Sequence, residues 1–264
     1  MKRLFLFAAI LLLVLAAPSR AEESAVYAAG DYTYTLLPGG TLKIIKYGGS
    51  HKEVAVPQTI DGRRVTVIGD WAFYDCDSLT YVTVPEGVTV IGSYAFFECD
   101  ALGTVLLPDS LESIGNSAFS MCPSLSSAAL PPNLTSIGTT AFYGCRSLRA
   151  ALVPEKVTHI GEGAFYGCRS LSSVSLPEGL SSVEDYLFCG CVSLTEVAVP
   201  KGAARVGEGA FRDCGNLKSI ALPASVTSIG AWAFNGCSGD IVFTVDRGSY
   251  AERYCSAYRL TYRY

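Results

Sequence analysis

The chain has 264 residues, half of them apolar, with 20 Lys and Arg against 24 Asp and Glu and a formal net charge of −4. That balance argues against nucleic acids and anionic membrane surfaces as partners, because both are held mainly through Lys and Arg. Length and apolar content together suffice for one large core.

Residues 1–21, MKRLFLFAAILLLVLAAPSRA, read as a secretory signal peptide: Lys2 and Arg3, an apolar run from Leu4 to Ala17, then the small-residue pattern Ser19-Arg20-Ala21. The run is shorter than the roughly 20 residues a membrane span requires. Cleavage after Ala21 would leave 17 basic against 24 acidic residues, a net charge of −7. The mature protein is therefore expected to be secreted or cell-surface associated, without membrane insertion.

Residues 22–57 are expected to form an N-terminal β cap. From 58 to 241 the chain repeats every 23 residues. Phe73, Phe96, Phe119, Phe142, Phe165, Phe188, Phe211 and Phe234 mark eight rungs, all but one preceded by Ala. Three residues later stand Cys76, Cys99, Cys122, Cys145, Cys168, Cys191, Cys214 and Cys237. After the first seven of these Leu follows three further on and Pro closes the segment, as in Leu79 and Pro85. Within a rung Leu79, Val82 and Val84 face one way and Thr83 the other, which predicts a short strand ended by a proline. The Ile-Gly that recurs before Ala-Phe, as at Ile68-Gly69, Ile91-Gly92 and Ile114-Gly115, is read as a tight turn that sends the chain back. A 23-residue unit cannot bury its own apolar side chains, so neighbours must stack. The expected fold is a mostly β solenoid with one parallel strand per rung and turns or short 3-10 segments opposite. Residues 242–264 are expected to cap it, with Ser249 and Glu252 as a capping box and Ala251, Tyr254, Cys255 and Tyr258 on one helical face.

The pattern Leu-x-x-Val-x-Leu-Pro, Ile-Gly, Ala-Phe, Cys resembles the BspA-like class of leucine-rich repeats, from about Pro57 to Asp240. The flanks YTLLPGGTLKIIKYGG, EVAVPQTIDGRRVTVIGDWAF and GSYAERYCSAYRLTYRY are similar to the usual beginnings and ends of such arrays. The resemblance implies a leucine-rich-repeat solenoid of exported, bacterial type, whose relatives include surface adhesins that bind host or bacterial proteins.

Ten cysteines in an exported chain would ordinarily imply disulfides. Here the eight ladder cysteines keep register with packing residues, and identical positions in parallel rungs aim their Cβ atoms the same way, which suits neither a bridge nor a converging metal site. They are read as buried, free thiols. Cys189, next to Cys191 in Cys-Gly-Cys, is expected to be the thiol most open to alkylation, and Cys255 to lie beneath the C-terminal helix.

No nucleophile with a base, paired catalytic carboxylates, metal site or phosphate loop stands out around His51, His159 or the period-locked glycines. No enzyme activity and no cofactor are expected. Binding is expected on the concave face, through Tyr81, Thr83, Thr104, Leu106, Arg149, Leu152 and Glu196, with Asp77 and Asp100 on an adjoining acidic edge. That edge would meet a basic patch or hold Ca2+ with help from Asp75 and Glu98. The partner is expected to be a protein or glycan on a host or neighbouring cell surface. The rival reading is a structural cell-envelope component without a specific ligand.

Overall fold

A computed structural model describes residues 25–264 of the chain; the signal-type segment 1–21 lies outside them. β1 (Val26–Ala29), β2 (Tyr32–Leu36) and β3 (Leu42–Tyr47) form an antiparallel meander that buries Tyr34, Leu42, Ile44 and Tyr47. After β4 (Glu53–Ala55), β5 (Thr59–Ile60) turns through Asp61-Gly62 into β6 (Arg63–Ile68). Both turn residues have positive φ, 51° and 75°, the conformation that suits a two-residue hairpin. β3 then pairs with β6 in parallel, and antiparallel cap becomes parallel array.

Fourteen short strands follow: β7 (Tyr81–Thr83), β8 (Val90–Ile91), β9 (Thr104–Leu106), β10 (Ser113–Ile114), β11 (Ser127–Ala128), β12 (Ser136–Ile137), β13 (Ala150–Leu152), β14 (His159–Ile160), β15 (Ser173–Ser175), β16 (Ser182–Val183), β17 (Glu196–Ala198), β18 (Arg205–Val206), β19 (Ser219–Leu222) and β20 (Ser228–Ile229). They alternate between two ladders. The odd-numbered strands line the first, joined by β4 at the start; of the even-numbered ones, β8 to β14 extend the sheet of β3 and β6, and β16, β18 and β20 continue the second ladder as a separate three-stranded sheet. Neighbours pair in parallel at a shift of 23, as Tyr81 with Thr104 and Ser113 with Ser136.

The fold is the expected mostly β solenoid, with turns through each Ala-Phe segment, and to it the structure adds a second ladder of strands. Its strands are two residues long, with the second residue, Ile or Val, turned toward the core and its predecessor facing outward, as at Ser113 and Ile114. The glycines after these isoleucines differ from expectation, because none of them has positive φ. They are needed for close approach. A Cβ at Gly138 would stand 2.6 Å from the backbone of Gly115 and Asn116, and one at Gly161 would stand 2.3 Å from Thr139 N. The left-handed positions lie on either side of Ala-Phe instead, at Trp71 and Asp75 in the first rung and at Gly163 and Gly167 in the fifth.

The core is a file of rings. From Phe73 to Phe234 successive centroids are 4.8–5.7 Å apart and the planes lie within 18° of parallel. Tyr47 of the cap begins the file by stacking on Phe73 at 5.0 Å. Phe243 of β21 (Val242–Val245) ends it edge-on to Phe234 at 83°.

α1 (Tyr250–Ala257) starts as expected at Ser249, whose hydroxyl accepts from Glu252 N at 3.1 Å, while the Glu252 carboxylate accepts from Gly248 N at 2.6 Å. Ala251 and Cys255 are buried against the last rung. Tyr258 is not part of that face: it is 67% exposed, because the helix ends at Ala257 and the chain turns away through left-handed Arg259. β22 (Thr261–Arg263) then pairs in parallel with β21, so the C-terminal segment adds a strand to the first ladder as well as a helix.

Candidate binding surfaces

The repeated thiols are internal. Each ladder cysteine from Cys99 onward donates to the carbonyl oxygen of the phenylalanine 26 residues earlier, at 3.0 Å for Cys99 to Phe73 and 3.1 Å for Cys237 to Phe211. All ten cysteines are free. Burial pushes the Cys145 thiol up to about 12 and those of Cys168, Cys191 and Cys214 well above their ordinary range. A thiol so protonated is a poor nucleophile and a poor metal ligand. Cys189 is only 3% exposed, which corrects its reading as the accessible thiol; Cys76 and Cys237, at the ends of the ladder, are the partly open ones. The reason is that Cys189 occupies a slot filled elsewhere by bulkier Tyr143 or Tyr166, so its short side chain does not reach the surface.

The outer face of the first ladder is where alternation puts the non-core side chains. Val82, Val105, Ala128 and Ala151 point into the core. Their neighbours form two outward columns, Tyr81, Thr104, Ser127, Ala150 and Thr83, Leu106, Ala129, Leu152. Tyr81 lies opposite Thr104 and Thr83 opposite Leu106. Leu106 is 46% and Leu152 62% exposed, two large apolar side chains in one column.

This ladder is interrupted. β11 does not pair with β13, nor β15 with β17. At the first interruption, just ahead of Pro131-Pro132, lies a depression of about 290 Å³ lined by Ser127, Ala129, Leu130, Arg149 and Leu152. Another of about 360 Å³ lies over β17, β19 and β21, with Glu196 and Arg263 on its walls. The structure thus groups Arg149 with Leu152, places Tyr81, Thr83, Thr104 and Leu106 together on β7 and β9, and sets Glu196 apart toward the C-terminal end. Asp77 and Asp100 are exposed in the turns after their cysteines, away from these strands. Among the described residues no group of three or more His, Cys, Asp or Glu is placed to hold a metal ion, so of the two alternatives for the acidic edge the calcium one lacks a ligand set.

A model of the BspA type leucine rich repeat region matches residues 50–168 and 135–245, in six copies. The chain belongs to that family. A leucine-rich repeat protein from Bacteroides ovatus is similar at 31% identity and a TM-score of 0.76, over 84% of this chain and 59% of its own length. The chain therefore spans less than two thirds of that relative. A leucine rich repeat protein of T. pallidum is similar at 31% identity and a TM-score of 0.66, over 90% of this chain and 97% of its own. Comparison with curated proteins finds no match. Among the described residues no helix is long and apolar enough to cross a membrane.

The sequence reading passed over one surface of this BspA type array. The slot before each Ala-Phe runs Trp71, Tyr94, Ser117, Thr140, Gly163, Tyr186 (before Leu187-Phe188), Gly209, Trp232, and every one of these residues is left-handed, with φ between 52° and 61°. Glycine adopts that conformation freely, whereas a bulky residue there costs about 1–2 kcal/mol. The signal that could have exposed it is the alternation of Gly with Trp and Tyr at one repeat position. In the first two rungs this turn face carries a four-ring cluster. Trp71 stacks on Tyr94 at 4.1 Å and 3°, Tyr74 stacks on Phe97 at 6.0 Å, and Trp71 meets both Tyr74 and Phe97 edge-on.

Proposed function

We propose that the chain is a secreted, non-catalytic protein-binding module that adheres to host or neighbouring cell surfaces through the outer face of its first ladder. The observation that carries this reading is the exposure of Leu106 and Leu152 in a column otherwise made of small residues, Leu152 lying beside Arg149 and a shallow depression. Covering one such leucine is worth about 1.5–3 kcal/mol, and Arg is favoured at the centres of protein contacts. Small neighbours such as Ala129, Ala150 and Ser127 let a partner approach the backbone closely. Membership of a leucine-rich repeat family supports an interaction or surface role. The apolar character of the column favours a protein over a glycan.

The test immobilises the chain from residue 22 onward and presents it with host matrix proteins and surface extracts of neighbouring cells, beside a Leu106→Ser/Leu152→Ser variant. Retention of a protein by the first and its loss by the second is expected, with equal melting temperatures. Equal retention by both would remove the strand face from the account. Expression of the whole chain should yield a product beginning at Glu22 outside the cytoplasm; an uncleaved cytoplasmic product would contradict secretion.

A further inference from the structure

We infer that the turn face of the first two rungs is a second docking surface, built for an arginine-bearing polypeptide segment. It is distinct from the strand face and stands or falls separately from it. Trp71 is 48% and Tyr74 44% exposed, and the inner face of Trp71 is already covered by Tyr94, so the cluster presents pre-stacked rings to solvent. The two tryptophans of the chain share one backbone slot. Trp232 is 61% exposed, and its neighbour one rung earlier is Gly209, which offers it no ring to stack on. The middle rungs display only the tilted pair Tyr143 and Tyr166, at 5.1 Å and 32°, without a partner ring in the Trp71 slot, so the four-ring cluster belongs to the first two rungs.

Charge selects the occupant. From Val65 to Cys145 there is no Lys, Arg or His, while Asp70, Asp75, Asp77, Glu98 and Asp100 lie in the same turns as the rings. Tyr74 Oη donates to Glu98 at 3.4 Å, and the charge of Glu98, with burial and Asp75, holds that phenol above its usual range. On the cap side Lys43 lies against Gly69. A guanidinium suits such a surface, since its flat face stacks on an aromatic ring while its edge donates two parallel hydrogen bonds to a carboxylate. A lysine ammonium, a compact point charge, gains less from both.

The experiment uses the chain from residue 22 onward and measures fluorescence anisotropy with labelled peptides of alternating arginine and serine, lysine and serine, or glutamate and serine, plus neutral oligosaccharides as competitors. The arginine peptide should bind best, the lysine peptide several-fold more weakly, and the glutamate peptide not at all. Trp71→Gly should weaken arginine-peptide binding at least tenfold, while Trp232→Gly, at the same backbone conformation, should leave it unchanged. Gly163 and Gly209 already fill this slot, so both variants should fold. If Trp71→Gly lowers the melting temperature, Asp75→Asn/Glu98→Gln takes its place with the same expected loss. Failure of the arginine peptide to bind, displacement by oligosaccharide, or equal effects of the two tryptophan variants would each overturn the inference. Leu106→Ser/Leu152→Ser should not affect this binding, which keeps the two surfaces separable.

Discussion

The Sγ of Cys145 lies 3.0 Å from the carbonyl oxygen of Phe119, one rung earlier, and donates to it inside the core. Repeated along the array, this contact ties each rung to the one before it through a group small enough to fit the turn. The thiol thereby serves as a packing unit with a polar end. All ten cysteines should titrate as free thiols in denaturant without reductant. In the native state Cys76 and Cys237 should be alkylated first and Cys189 protected. Cys145→Ala leaves a buried carbonyl without its donor and should cost about 1–3 kcal/mol in urea unfolding. A count near zero thiols would mean disulfides and end this account of the ladder.

The ring file makes stability depend on position. Phe142 is 1% exposed and sandwiched between Phe119 and Phe165, so Phe142→Ala should cost about 3–5 kcal/mol. Phe234, only partly buried at the end of the file, should cost measurably less on the same substitution. Equal losses at both sites would argue against rung-by-rung stacking.

Two glycines one rung apart should respond differently to alanine. At Gly167, where φ is 72° and an added Cβ meets its neighbours at an ordinary 3.8 Å, the cost is purely conformational, about 1–2 kcal/mol. At Gly138 the same methyl would stand 2.6 Å from backbone of the preceding rung, which cannot yield without parting the ladder. Gly138→Ala should therefore cost at least about 3 kcal/mol. Thermal melting of the two variants compares them directly; a milder effect at Gly138 would sink the close-approach explanation.

Alkaline pH should unfold the array. An unfolded thiol ionises near about 8.5, whereas burial raises Cys145 to about 12 and pushes Cys168, Cys191 and Cys214 well above the ordinary range. The sign follows from folded values above unfolded ones: the contribution is complete below about pH 8.5 and is lost as pH rises toward the folded values. Each buried thiol removes about 1.4 kcal/mol per pH unit across that window, and several act together. Urea midpoints should be flat from about pH 7 to 8 and fall steeply beyond about 9. A flat profile to about pH 11 would contradict thiol burial.

The period, the core positions and the first strands were legible because Phe, Cys, Leu and Pro recur without a gap and Leu79, Val82 and Val84 alternate with outward residues. The second ladder was not. Its strands have two residues, too few for an alternation to show, and the Ile-Gly that follows reads equally well as a turn or as a close approach. Tyr47 escaped notice because it leads Phe73 by 26 residues and not 23, since the cap meets the array through a bulged strand pair. Outward residues such as Leu106 and Leu152 could be named from alternation alone. That the first ladder breaks beside Arg149 depends on hydrogen bonds between rungs, which no single rung encodes. The turn face was hidden because its slot mixes Trp, Tyr, Ser, Thr and Gly, and only the shared left-handed backbone unites them.

The central claim is that the repeats supply a scaffold and the outward column of the first ladder supplies binding. The most direct measurement is the retention of surface proteins, quantified by mass spectrometry, on wild type, Arg149→Glu, Leu152→Ser and, as a control on the second ladder, His159→Ser, which is exposed on the opposite sheet. The account predicts that a protein held by wild type and by His159→Ser is reduced at least tenfold on Arg149→Glu and on Leu152→Ser, with all four melting alike. Equal retention on all four would contradict it.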